Sequence, residues 1–367
     1  MLDLLSLSTE ILSWSLTLGL IIGLVLAWDR FSNKRLRVVI ARVSVLILIQ
    51  VLALVSTGIT INRSGDFYTS WSDLVGANGN LEKIAIAPNN LASISPSDIK
   101  QARKSPGGSL ILRKVIKGAD SGISDVVYVV LSPKVAAPLL LNPQNPQLLN
   151  DYQVIELFPG TPGVPQTWIG AMNGIATIEK LEKNNSIKPT IAIIPSINVI
   201  PGKDTECLNF LAGPQVESWL TTDMHTFALK FIGIDARPWA TMGYSTGGWC
   251  ASMVSIRHPD LYSSAVSIAG YFRPVISLTV SVREKSVIES EYDLVKTLRS
   301  SAVKPQLMII TGVQDKQALG SAKKFMESAG PYLNIRYVPI SSGGHNTKVW
   351  APFVSTGLLW IAAQQSN

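Results

Sequence analysis

Two long charge-free runs near the start constrain this chain more than any other feature. Residues 11–28, ILSWSLTLGLIIGLVLAW, and residues 43–62, VSVLILIQVLALVSTGITIN, contain no Asp, Glu, Lys or Arg. As helices rising 1.5 Å per residue, each is long enough to cross a hydrocarbon core of roughly 30 Å. A bilayer offers the backbone no water to bond, so helix is the form both runs would take there. Helices of soluble cores keep a polar face over such lengths, and these do not. The preceding MLDLLSLSTE carries Asp3 and Glu10 and no basic residue, which argues for a retained span rather than a cleaved signal peptide. Arg30, Lys34, Arg35, Arg37 and Arg42 lie between or at the ends of the two spans. The positive-inside rule then puts that connector in the cytoplasm and everything after Arg63 outside it. The expectation is a multi-pass membrane protein whose lipid partner holds a hairpin at residues 1–62.

Composition narrows the remainder. The chain has 367 residues, 47% apolar and 16% charged, with a net charge of +7 and a mean hydropathy of +0.26. That excludes a disordered chain. The basic excess forms no stripe of Lys and Arg interleaved with aromatics, so nucleic acid is not an expected partner. Cys207 and Cys250 are the two cysteines and make no Cys-x-x-Cys pair, so a cysteine zinc site is not expected. In an oxidising compartment they could form a disulfide, and two buried thiols are the alternative.

Residues 63–106 mix Pro, Asn and Ser without a clear period and read as a juxtamembrane connector with one short helix. From 107 to 367 the rhythm becomes strand and helix in alternation. SLILRKVI, VVYVVL, VIELF, TIAII, WATMGY, SSAVSI, QLMIITG and the more mixed NIRYVPI read as strands. Helical stretches fall between most of them, at 168–181, 216–232, 246–257, 293–300 and 318–329. This is an α/β pattern with a mainly parallel sheet covered on both faces. Chemistry in open sheets of this kind sits at the carboxyl ends of the strands.

At one such end stands Gly243-Tyr244-Ser245-Thr246-Gly247, a G-x-S-x-G match with a strand before it and a helix after it. A serine on so sharp a turn presents its hydroxyl above the sheet, at the positive end of a helix dipole. A neutral hydroxyl is a poor nucleophile and needs a base, which in turn needs a group to orient it. Three histidines exist. His225 reads as mid-helix and precedes the serine, and His258 reads as a helix-terminal packing residue before Pro259. His345, in the glycine-rich loop SSGGHNTKVW, is the candidate base. Asp315, directly after the strand LMIITG, is the candidate acid. Glu284, Glu289 and Asp293 lie in a charged, helical or irregular stretch with no strand leading into it. The order Ser245, Asp315, His345 is that of one particular triad fold.

Taken together, LFPGTPGVPQTWI, DTEC, GYSTGGWCA, SIAGYF, TGVQD and GGHNTKVW resemble the α/β-hydrolase-fold esterase family that includes esterase D-like enzymes and the mycolyltransferases. Actinobacterial members with N-terminal membrane helices are the most similar. The resemblance spans residue 107 to the end and implies serine-dependent acyl chemistry on esters. Acyl transfer needs two N–H donors for the developing oxyanion. One is expected from Thr246. The other should come from the loop after VIELF, where Pro162 has no N–H, which leaves Thr161 or a glycine; resemblance to the mycolyltransferase loop points to Thr161. Many members carry His or Asp before the glycine of that loop, where this chain has Pro159.

The leading expectation is therefore a membrane-anchored extracytoplasmic serine esterase acting on small-molecule or lipid esters, with no cofactor and no metal. An acyltransferase moving the acyl group to an alcohol or sugar would share the same residues. A membrane-tethered binding protein that keeps the fold is the non-enzymatic reading.

Overall fold

A computed structural model describes residues 6–28, 36–65, 83–84, 94–144, 151–234 and 238–365. The chain divides into two compact units, Met1–Gly79 and Asn80–Asn367. The connector 29–35, with Arg30, Lys34 and Arg35, lies outside the described residues. So do 66–82 and 85–93 of the stretch read as a juxtamembrane connector.

The first unit is a helical hairpin of α1 (Leu7–Leu26) and α2 (Leu36–Gly65). Both contain windows long and apolar enough to cross a membrane. Helix α2 starts ahead of its charge-free run because Val38, Val39 and Ile40 extend the apolar pattern, and Arg42 lies over the Trp28 ring. Polar side chains meet along the seam. Trp14 Nε1 donates to Thr60 Oγ1 at 3.0 Å, and the Thr17 and Ser56 hydroxyls lie 3.2 Å apart. Glu10 accepts from Thr60 Oγ1 and pairs with Arg63. Leu, Ile and Val side chains cover the outside, with Leu26, Leu36 and Leu54 each more than 70% exposed.

The second unit is built on a ten-stranded sheet. Its strands are β1 (Lys83–Ile84), β2 (Arg103–Lys104), β3 (Leu110–Lys117), β4 (Ser124–Leu131), β5 (Gln153–Phe158), β6 (Thr190–Pro195), β7 (Trp239–Tyr244), β8 (Tyr262–Ile268), β9 (Gln306–Gly312) and β10 (Ile335–Ile340). The order is β1-β3-β4-β6-β5-β7-β8-β9-β10, with β2 beside β3. From β6 through β10 every pairing is parallel, while β3–β4 and β4–β6 are antiparallel.

Strands β5, β6 and β7 are buried throughout, which is why they read as unbroken apolar runs. The alternation is visible in β9, where Leu307 and Ile309 join one core and Met308 and Ile310 the other. The first core holds Trp219, Phe227, Trp249 and Met253 from helices on one face. The second holds Trp168, Ile175, Ile178, Leu358 and Ile361 from the other face. Strand β10 is the sheet edge, and its mixed sequence matches its half-buried side chains.

Part of the stretch that reads as connector belongs to this unit. Ser95 and Asp98 form a capping box at the start of the helix Pro96–Gln101, and Ile94 and Ile99 are buried beneath it. The expected helix at 168–181 is two helices, Gln166–Ile169 and Gly174–Lys183, divided where Asn173 takes a left-handed conformation at φ 52°. The stretch 216–232 is helical but contains two π-helical turns, Trp219–Asp223 and Ala228–Ile232.

Candidate active site

Strand β7 ends at Tyr244, and the helix Thr246–Arg257 begins two residues later. Ser245 joins them at φ 54° and ψ −123°, a conformation a side chain rarely adopts. The fold holds it there. Ser245 N–H donates to Ile268 O at the end of β8, at 2.9 Å. Gly247 presses on the chain leaving β5, where a Cβ would collide with the carbonyl oxygens of Phe158 and Pro159. Only glycine permits that approach.

Asp315 follows β9 and caps the helix Lys316–Ala329, its Oδ1 accepting from Ala318 N–H at 3.2 Å. Its other oxygen, Oδ2, lies 2.5 Å from His345 Nδ1. His345 follows β10, and its Nε2 lies 2.9 Å from Ser245 Oγ. The three side chains thus form one hydrogen-bonded line at the carboxyl ends of β7, β9 and β10. Asp315 is buried and His345 is partly open to solvent. The imidazole meets Trp350 edge to face, with centroids 4.5 Å apart. A strap between the two loops fixes the line, since Gly343 N–H donates to Gln314 Oε1 at 2.8 Å.

This arrangement lets imidazole accept the serine proton while the carboxylate holds the opposite ring nitrogen protonated. Thr246 is the first residue of its helix, so its N–H has no intrahelical acceptor. Across the cleft, the loop 159–163 passes beside the serine: a Cβ on Gly160 would stand 3.1 Å from Ser245 Cβ. Thr161 lies in that loop, and its hydroxyl donates to Asn198 Oδ1 at 2.8 Å. Asn198 Nδ2 in turn donates to the carbonyls of Gly160 and Gly163. Asn198 is a residue that sequence reasoning missed. Its only signal is a polar side chain three residues past an apolar strand.

The other expected residues sort as follows. Cys207 and Cys250 are disulfide-bonded, with Cα atoms 5.8 Å apart, which ties the loop before Leu208 to the nucleophile's helix. His225 stacks on Trp239 at 3.6 Å, and burial holds its imidazole down to about 4. His258 ends the helix Thr246–Arg257 and contacts Glu217 at 2.8 Å. Glu284 accepts from Leu211 N–H, and Asp293 caps the helix Leu294–Ser300. No group of three or more His, Cys, Asp or Glu suited to a metal occurs among the described residues.

A second polar cluster lies under Thr246. Thr246 Oγ1 donates to Asp204 Oδ2 at 2.9 Å, and the Tyr271 hydroxyl lies 3.3 Å from Thr246 Oγ1. The Tyr271 hydroxyl lies 2.7 Å from Glu206 Oε1, and Glu206 Oε2 accepts from Val275 N–H at 3.2 Å. Burial and the neighbouring Asp204 charge push the Glu206 carboxyl up to about 8.

The fold is that of the α/β hydrolases, as comparison with solved structures shows. An S-formylglutathione hydrolase from Agrobacterium tumefaciens superposes with a TM-score of 0.57 at 13% identity, covering 72% of this chain and 98% of that one. A ferulic acid esterase gives 0.56 at 15% identity, covering 70% and 98%. FphF, a fluorophosphonate-binding serine hydrolase of Staphylococcus aureus, gives 0.53 at 16%, covering 70% and 99%. In sequence, the chain is 25% identical over 237 residues to an uncharacterized Corynebacterium glutamicum protein, Cgl0967/cg1104, spanning 59% of this chain. The chain spans about half the length of that curated relative, 54%. No family model matches.

Proposed function

We propose that this chain is a membrane-anchored serine esterase working outside the cytoplasm. The observation that carries the reading is the unbroken line Ser245–His345–Asp315 set on a strained turn at the carboxyl end of the sheet. In this mechanism Ser245 Oγ attacks the ester carbonyl as His345 Nε2 takes its proton. Asp315 keeps the Nδ1–H tautomer in place and stabilises the imidazolium. The N–H groups of Thr246 and Thr161 bind the oxyanion, a contribution worth about 3–4 kcal/mol per donor in the transition state. His345 then returns the proton to the departing alcohol. Water repeats the sequence on the acyl-enzyme, releasing the acid and restoring the hydroxyl.

Two further features support the location. The apolar hairpin α1–α2 fits a bilayer, and the Cys207–Cys250 bond suits an oxidising space rather than a reducing cytoplasm.

The test is hydrolysis of p-nitrophenyl esters of increasing acyl length by the detergent-solubilised full chain. Wild type should turn over at least one ester. Ser245→Ala and His345→Ala should each fall by three orders of magnitude or more. Equal turnover by wild type and Ser245→Ala would reject the reading.

A further inference from the structure

The buried cluster behind Thr246 has no part in the triad, yet it touches the residue expected to hold the oxyanion. It is also strongly built. Glu206 and Cys207 both adopt left-handed backbone, at φ 54° and 56°. The disulfide to Cys250 holds them there, as does Trp249 Nε1, which donates to Glu206 O at 2.9 Å. Trp249 and Tyr271 stack in parallel planes, and Ser277 Oγ donates to Asp204 O at 2.7 Å. Loop 204–207 and segment 271–277 are thus joined at the start of the nucleophile's helix, through Glu206 and Asp204.

We propose that Glu206 is a positioning residue for the oxyanion site, acting on Thr246 through the hydroxyl of Tyr271. This rests on the serine-esterase reading and adds to it.

Hydrogen counting shows how the cluster works. Tyr271 has one hydroxyl hydrogen and two acceptors within reach, Glu206 Oε1 and Thr246 Oγ1. With its proton in place, Glu206 donates to Tyr271, which turns its own hydrogen to Thr246. Thr246 donates in turn to Asp204, so four groups form a chain running in one direction. When Glu206 loses its proton to solvent, Tyr271 swings back to the carboxylate and Thr246 loses that donor. A second negative charge then stands beside Asp204, behind the place where the oxyanion forms. Both changes disfavour the transition state.

The groups facing Glu206 from neighbouring elements are Asp204 on its own loop and Tyr271 after β8, with the Val275 N–H beyond. Burial and the Asp204 charge place its titration near 8, within the range where such an enzyme can be assayed. The proton-bearing form is therefore the working form at neutral pH.

The test is the second-order rate of phosphonylation by a fluorophosphonate probe, measured from pH 6 to 10 on the solubilised full chain. It needs no knowledge of the natural ester, and the phosphonyl oxygen occupies the oxyanion site. Wild type should slow about tenfold between pH 7 and 9, with a midpoint near 8. Glu206→Gln keeps a donor for Tyr271 and an acceptor for Val275 but cannot ionise, so the decline should vanish. Asp204→Asn removes the neighbouring charge and should lower the midpoint by half a pH unit or more. A merely structural Glu206 would change melting temperature and leave the pH profile alone. A wild type without the decline, an undiminished decline in Glu206→Gln or an unmoved midpoint in Asp204→Asn overturns the proposal. Should Glu206→Gln fail to fold, the Asp204→Asn midpoint decides. Labelling of Ser245→Ala at the wild-type rate would instead reject the esterase reading itself.

Discussion

Replacing both Cys207 and Cys250 by alanine should destabilise the second unit by an amount the structure lets us work out. The bond closes a loop of sequence separation 43, and losing it frees the unfolded chain by about 4 kcal/mol in the chain-entropy model. One effect opposes this. Glu206 and Cys207 are held in left-handed backbone, which costs roughly 1–2 kcal/mol per residue. Breaking the bond recovers that strain only if the loop can move. Trp249 and Tyr271 still grip Glu206 through its carbonyl and carboxyl, so little is recovered. The net loss should be about 3 kcal/mol, or roughly 6–12 °C in melting temperature. Differential scanning fluorimetry of the detergent-solubilised chain reads this directly, and wild type treated with dithiothreitol should fall by a similar amount. A double variant melting within 2 °C of an equally pure wild type would show that the bond does not stabilise the fold.

Three other outcomes follow from the same contacts. Asp315→Asn should cut kcat/KM by about 10⁴, because the amide favours the wrong imidazole tautomer. Asn caps helices as well as Asp does, so the same variant should melt close to wild type; a large melting shift would mean Asp315 is structural. Acid should weaken the fold in two steps. His225 titrates at about 4 when folded against 6.5 unfolded, so its stabilisation is present above 6.5 and lost as pH falls to 4. Burial alone would raise Glu217, but hydrogen bonds from His258 and Arg257 outweigh it and hold the carboxyl at about 2 against 4.5, giving a second loss between those values. Each is worth up to about 3 kcal/mol; denaturant titrations at pH 7, 5.5 and 4 should show the first, and His225→Phe should flatten it. Finally, an alkaline carbonate wash should leave the full chain in the membrane pellet, and recovery in the supernatant would contradict anchoring by α1 and α2.

Sequence and structure agree most where burial is uniform. Strands β5 to β9 are almost wholly enclosed, so apolar composition alone marks them. Ser245 and Asp315 stand on loops that follow such strands, with a known turn motif marking the first, and His345 stands on the glycine-rich loop after the half-buried edge strand β10. Each could be located without knowing what it touches. Partners within loops are another matter. Asp204 meets Thr246 across 42 positions, and Tyr271 meets Glu206 across 65, so no local period connects them. Asn198 clamps the 160–163 loop in the same nonlocal way. The state of the two cysteines stayed open because sequence does not say whether their Cα atoms approach. The charged stretch around Glu284 and Glu289 reads as helical or irregular, and the Ser281–Glu284 spacing is the local feature that starts the helix Val282–Glu291.

The most direct measurement is the site of covalent capture. A fluorophosphonate probe is incubated with the full chain, which is digested with trypsin and mapped by mass spectrometry. One adduct is expected on the peptide 231–257, located to Ser245 by fragmentation and absent from Ser245→Ala. An intact, folded chain that takes up no probe, or that carries it on another residue, would rule out Ser245 as the nucleophile.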